Sequence, residues 1–389
     1  MSAFRSMKPA KPMQIRSILQ IVSGFKPSVD GMGDFARRLG DALWQTNSIR
    51  SHFLVYRRPQ APFDSAEILP NTISYAEAAS PSACREAIAA LRQQNFFDCA
   101  ILHYGPYAYS SKGEPAVFVR IIEELATAIP VLVFFHETYA EGMPWKRAFW
   151  TRGQQRQSVA KLIESASAAF TSNAKYMLRL GKFNTTGRPL TKIPIFSNLG
   201  EPEGLCSLDQ RTRRLIIFGQ LPTRVRLYRD HRQSLEEVCR RLRIAKVVDV
   251  GSGQSEYIPK MLAGAEVRRA GYMDEHQLSA LMADSIAGVV GYWPDVWEKS
   301  GVMASYEAHA LVPILVELEP RLLAAPPYVP YILAEDVTNL AGTDGNLPDV
   351  QLQQIADAAH AYYTRNQSVL CAAEAIAAFV PMQKNQGTV

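Results

Sequence analysis

Two patterns of apolar and polar positions alternate along the chain: short apolar runs, and longer stretches in which apolar residues recur every three or four positions. In the first half the runs predict strands at Ile15–Val22, Phe53–Tyr56, Cys99–His103, Val131–His136 and Ala168–Thr171. Helical patterns at 82–93, 115–128, 155–166 and 174–181 separate them, and Asp34 opens another helix with Phe35, Leu39, Ala42 and Leu43 on one face. Around 193–204 the pattern breaks into Pro, Gly and acidic residues, which predicts a linker.

A second series follows, with strands at Leu215–Phe218, Val247–Val250, Val267, Ile286–Gly291 and Pro313–Val316 and helices at 233–243, 255–263 and 274–284. Ala-rich helices are expected at 348–366 and 368–379. Such alternation builds doubly wound parallel sheets. The expected fold is α/β, with two Rossmann-like domains at 1–200 and 201–365 facing a cleft and residues 366–389 packing back toward the first. Residues 1–14, basic and Pro-bearing, predict a loose start.

Composition supports this reading. At 389 residues the chain exceeds one ordinary core, and 47% hydrophobic with 20% charged residues suits a globular protein. No apolar run approaches the ~20 residues that span a bilayer, and the N-terminus lacks a signal-peptide core, so a cytoplasmic location is expected. The 5 cysteines are scattered without metal-type spacing, which predicts reduced thiols and no metal site. A net charge of +5 suits an anionic ligand, with cations concentrated between Arg211 and Lys246. Base-reading and aromatic groups are scarce among them, so a nucleic-acid partner is not expected.

Candidate chemistry lies at predicted strand ends. The stretch from Gly288 to Val316 reads as strand, loop, helix, strand, with the helix starting at Ser300-Gly301, where free backbone N–H groups favour a phosphate. Glu307, about two turns inside, is placed to accept bonds from a ligand's paired hydroxyls. Gly31 and Gly33 precede a helix, but Ala36 stands where a dinucleotide fingerprint needs its third glycine; they let a backbone approach a ligand. His103 and His136 end strands, and Arg224, Arg226 or Arg229, just beyond another strand end, could meet a diphosphate bidentately. A rival reading takes Val247-Val-Asp-Val-Gly-Ser-Gly253 and Glu266 as the glycine loop and ribose-binding acid of an S-adenosylmethionine-dependent methyltransferase, with Ser255 in place of the third glycine.

Together these segments resemble GT-B glycosyltransferases, specifically the retaining, nucleotide-sugar-dependent family 4. Gly31-Met-Gly33 is similar to the family's N-terminal glycine loop, Phe134-Phe-His-Glu137 to its strand-end His segment, and Thr171-Ser-Asn-Ala174 to the strand and helix before its linker. Ile217-Phe-Gly219-Gln220 stands where the family has Gly-Arg, and Val250-Gly-Ser-Gly253 resembles its mid-domain glycine turn. Gly271-Tyr-Met273-Asp is similar to its nucleobase segment, and Glu307 occupies the second place of its paired-glutamate motif, which implies a grip on the donor ribose. The first glutamate should stand eight positions earlier, where Lys299 is found, and Glu298 is nine away.

The resemblance implies metal-independent transfer, with retention, from a nucleoside-diphosphate sugar to a saccharide, lipid-linked or small-molecule acceptor, the donor being a co-substrate and no cofactor being needed. The diphosphate would rest on Lys299, Arg224 or Arg226 and the amides of Ser300, Gly301 and Val302, with His136 orienting the donor sugar. The altered motif also admits a non-catalytic nucleotide-sugar-binding protein. The basic N-terminus and excess charge fit a peripheral membrane contact.

Overall fold

The computed structural model describes residues 15–25, 31–56, 75–77, 80–141, 145, 147–324, 326, 328–340, 342 and 345–382. The basic start at 1–14, part of the loop before Gly31, and 383–389 of the expected C-terminal segment lie outside them.

Two seven-stranded sheets form. In the first, β1 (Arg16–Val22), β2 (Ile49–Val55), β3 (Tyr75–Glu77), β4 (Cys99–Tyr104), β5 (Val131–Phe135), β6 (Ala168–Thr171) and β7 (Leu190–Lys192) are all parallel, in the order β3-β2-β1-β4-β5-β6-β7. The near-continuous apolar runs follow from this, because a parallel sheet is covered on both faces. Ile18, Ile101, Leu132 and Phe134 face a core shared with α1 (Gly31–Asn47) and α11 (Val369–Ala377). Leu19, Leu102 and Val133 face the other side, against α2 (Pro81–Gln94), α3 (Ala116–Ala126), α4 (Arg147–Ser165) and α5 (Ala174–Gly181).

The second sheet contains β8 (Thr212–Phe218), β9 (Lys246–Val250), β10 (Met261–Leu262), β11 (Ala265–Gly271), β12 (Ser285–Tyr292), β13 (Val312–Glu317) and β14 (Ile332–Leu333). Its order is β10-β11-β9-β8-β12-β13-β14, and β10 alone runs antiparallel to its neighbour. Its helices are α6 (Leu221–Asp230), α7 (Arg232–Arg241), α8 (Glu275–Ala283), α9 (Gly301–Ala308) and α10 (Asp349–Asn366). After α10 the chain returns to the first sheet, where Ala372, Ala373 and Ile376 of α11 pack with Phe35 and Leu39 of α1. The Arg16 guanidinium donates to the Val380 carbonyl at 3.1 Å.

Two local expectations are corrected. The predicted helix at 255–263 is instead a turn region leading into the β10–β11 hairpin, whose two central residues, Ala263 (φ 48°) and Gly264 (φ 86°), both adopt the left-handed conformation that a tight hairpin turn requires. Helix α6 was not predicted; Pro222 lies in its first turn, where a missing N–H is harmless. Among the described residues no helix is long and apolar enough to cross a membrane.

Strand order places the functional loops. In the first sheet the order reverses between β1 and β4, and in the second between β8 and β12. Loops leaving the carboxyl ends of strands at such switch points form the crevice in which α/β sheets bind ligands. The four loops begin at Ser23, Gly105, Gly219 and Trp293.

A buried clamp stabilises one of them. Arg224, 1% exposed, pairs with the buried Asp249 and donates to the Gly219 carbonyl at 2.9 Å and the Ser252 carbonyl at 2.6 Å. Removing one partner of a buried pair strands the other charge, so Arg224→Met is predicted to lower unfolding free energy by about 3–5 kcal/mol in a denaturant titration. Arg224→Met/Asp249→Leu should recover most of that loss.

Candidate functional site

Side chains alternate faces along a strand, so Gln20 on β1 and His103 on β4 share the face of the first sheet that carries Ile18 and Phe134. They meet there. The Gln20 side-chain amide donates to Ser51 Oγ at 2.8 Å, which leaves Gln20 Oε1 to accept from His103 Nε2, also at 2.8 Å. Full burial pushes the His103 pKa down to about 3, so its ring is neutral and its Nδ1 is a bare acceptor. His136 Nε2, 3.1 Å away, must then carry the proton and donate it. The relay leaves His136 Nδ1 unprotonated, the ring atom that none of the described residues engages. Burial, followed by the neighbouring His103 and Lys299, holds His136 well below the usual imidazole range.

Lys299 comes from the other lobe. It ends a 3₁₀ turn, Pro294–Lys299, after β12, and its Nζ lies 3.1 Å from Glu137 Oε1 and 3.5 Å from the Tyr176 hydroxyl of α5. Burial opposes its charge, but Tyr176, Glu137 and Tyr292 together raise its pKa above the ordinary lysine value. The ammonium is therefore fixed at the lobe junction. A second bridge crosses nearby, from Arg38 Nη2 to Glu275 Oε2 at 2.8 Å.

Immediately after Lys299, Ser300 caps α9 by accepting from the Met303 N–H at 3.1 Å. The Ser300 amide itself donates to the Trp297 carbonyl at 2.8 Å, which corrects the expectation that it faces a phosphate. Gly301 and Val302 carry the first-turn N–H groups that have no acceptor within the helix. Around them lie Asn198 of the linker, Gly219 and Met273: a Cβ on Gly301 would sit 3.4 Å from the Asn198 amide, and one on Gly219 4.0 Å from Val302. Met273 packs in one cluster with Val302, Phe218 and Leu199.

Other expected site residues lie elsewhere. Arg224 is committed to the interior clamp and cannot meet a diphosphate, and Arg226, two residues on along α6, is exposed on a different face. Gly33 lacks a Cβ for an internal reason: one there would collide with the Gly24 carbonyl. Among the described residues nothing lies within 4 Å of the Cβ position at Gly31, and at Gly253 that position faces the Leu221 side chain.

Glu307 is the largest correction. Its side chain is 0% exposed and neither carboxylate oxygen has a hydrogen-bond partner among the described residues, whereas the expectation placed it facing the cleft. Burial, and secondarily the charge of Glu298, raises its pKa well above the ordinary 4.5. Glu298 is buried too, with Lys192 of β7 at 2.5 Å. Trp297, whose ring lies 5.5 Å from that of Tyr331 and 5.9 Å from that of Tyr362, belongs to the same buried region.

The methyltransferase reading fails on geometry. Glu266 pairs with Lys246 at the amino end of β9, about 16 Å of extended chain from the Gly251 turn at its carboxyl end. A Cβ on Gly251 would strike the Gly219 carbonyl and the Arg224 guanidinium, so that turn is packed against its own chain. Sequence reasoning gave no role to Gln20, Tyr176 or Asn198, because their partners lie 83, 123 and about 100 residues away.

No protein-family model matches the chain, and no curated protein matches it in sequence. Solved structures do. An alpha-glucosyltransferase in complex with UDP-glucose and DNA containing an abasic site superposes with a TM-score of 0.59 at 13% identity, over 94% of this chain and 100% of that one. The alpha,alpha-trehalose 6-phosphate synthase of Burkholderia multivorans gives 0.58 at 12% identity over 95% and 98%, and WaaG, a glycosyltransferase involved in lipopolysaccharide biosynthesis, gives 0.55 at 12% over 94% and 100%. The chain has the two-lobed GT-B fold of these glycosyltransferases.

Proposed function

We propose that this protein is a retaining, metal-independent glycosyltransferase of the family 4 type, moving a sugar from a nucleoside-diphosphate sugar to a saccharide, lipid-linked or small-molecule acceptor. The observation that carries this reading is the meeting, at the junction of the lobes, of Lys299, the open Gly301 and Val302 amides and the His136 ring. A leaving diphosphate gathers charge as the glycosidic bond breaks, and a fixed ammonium with helix-start amides stabilises it more in the transition state than before. Glu137, half-exposed, would yield the ammonium to the phosphates.

His136 presents Nδ1 as an acceptor for a donor-sugar hydroxyl, its tautomer set by His103 and Gln20. Glu307, fully enclosed, stays a buried carboxyl held in its neutral form and takes no part in this reading. A second reading, a nucleotide-sugar-binding protein that turns nothing over, is favoured by Lys299 in the first-glutamate place and by the enclosure of Glu307. It predicts nucleotide-sugar binding with neither hydrolysis nor transfer.

A ligand that binds only the native state raises its melting temperature. At least one common nucleoside diphosphate or its sugar is therefore expected to raise Tm, and Lys299→Ala should weaken that ligand about tenfold or more through loss of a charge-assisted contact. A flat screen would remove the proposal. Glu307 gives a pH-dependent prediction. Its folded pKa lies above the unfolded value, so its contribution is fully present below about pH 4.5 and is lost as pH rises toward the folded pKa, because only the unfolded state ionises in that window. Glu307→Gln should thus raise Tm more at pH 8 than at pH 5; an equal change at both pH values would contradict the buried, protonated carboxyl.

A further inference from the structure

Beyond Lys299 a line of cations continues over the first lobe. Lys299 lies over the Tyr176 ring at 5.6 Å from its centre, and Arg179 of α5 lies over the same ring at 5.4 Å. Arg179 also lies 5.2 Å from the Tyr139 ring centre, where Arg156 (5.6 Å) and Arg152 (5.9 Å) of α4 converge as well. Three guanidinium groups thus gather about one tyrosine.

Like charges held together need a counter-charge, and the protein supplies little. Glu141 pairs with Arg179 and, at 3.4 Å, with Lys175. Among the described residues, neither Arg152 nor Arg156 has a carboxylate within ion-pair distance, and Arg152 Nε is buried with no hydrogen-bond partner. Four cations therefore share one carboxylate. The aromatic rings hold the guanidinium planes in place. Arg179 donates to Thr138 Oγ1 at 3.4 Å and pairs with Glu141, while Arg152 and Arg156 keep N–H groups that no carboxylate among the described residues accepts.

The position matters as much as the charge. Tyr139 follows His136 by three residues, a reach of at most ~10 Å, on the same loop after β5. A group bound at the arginines therefore lies on the lobe that carries His136, and Arg179 shares the Tyr176 ring with Lys299. Planar guanidinium forks suit the oxygens of a phosphate.

We infer that Arg152, Arg156 and Arg179 form an acceptor subsite for a phosphate ester, so that the acceptor is a phosphorylated molecule rather than a neutral sugar. This rests on the glycosyltransferase reading for the word acceptor, but the anion site itself does not. A phosphate ester can belong to a soluble sugar phosphate or to a lipid headgroup, and the test separates the two.

Binding of glucose 6-phosphate and of glucose is measured by calorimetry, and binding to phosphatidylcholine vesicles with and without phosphatidic acid by co-sedimentation, for the wild type and for Arg152→Gln/Arg156→Gln. Uridine and guanosine diphosphate serve as donor-site controls, and the far-ultraviolet spectrum and melting temperature as fold controls. The expected result is that one phosphorylated probe binds the wild type at least about tenfold tighter than its unphosphorylated counterpart. The double variant should lose that preference while keeping its fold and its nucleotide binding; whichever probe binds identifies the source. Phosphate preference that is absent from the wild type, or survives in the variant, would overturn the inference, as would binding of a duplex oligonucleotide alone. Loss of nucleotide binding in the wild type with the phosphate preference intact would instead sink the glycosyltransferase reading and leave the anion site standing.

Discussion

The ammonium of Lys299 is held between two lobes, and the account of the cleft depends on that placement. It belongs to the second lobe through the turn after β12, yet its hydrogen-bond partners, Glu137 and Tyr176, belong to the first. Because the lysine directly precedes the Ser300 cap, the same contact that ties the lobes also sets a positive charge beside the open end of α9. On the proposed function, a cation at that point serves packing until the donor diphosphate arrives.

The two sheets make this possible by presenting the same edge to each other. In both, the strand order reverses, between β1 and β4 and between β8 and β12, so a crevice of the kind that binds ligands follows from topology before any side chain is considered. The side chains then follow from parity and spacing. Period-two alternation brings Gln20, His103 and His136 to one face, where burial keeps the two rings neutral and the amide fixes which nitrogens carry protons.

Much of the fold was legible in the sequence because parallel strands, covered on both faces, read as apolar runs; β6 at Ala168–Thr171 and α5 at Ala174–Gly181 match their predicted limits. The segment around 255–263 misled because Ile258, Met261 and Leu262 mimic a helical stripe, while the turn rests on a left-handed Ala263 that no propensity favours. The candidate site was legible where a residue's role is local, as for the Ser300 cap, and illegible where it is set across the fold. Nothing in the sequence near Arg224 announces Asp249 as its partner, and nothing near Glu307 announces that α10 and the Tyr331 loop enclose it. A basic residue after a strand reads as a ligand contact in the sequence and becomes an internal strut in the structure.

The central claim is that a donor's diphosphate rests at the start of α9 between the lobes. Diffraction from crystals grown with each common nucleoside diphosphate tests it most directly. The account predicts phosphate oxygens within hydrogen-bond distance of the Gly301 and Val302 amides and of Lys299 Nζ, with Glu137 released from the lysine. A diphosphate bound away from that helix start, with the Lys299–Glu137 contact undisturbed, would contradict it.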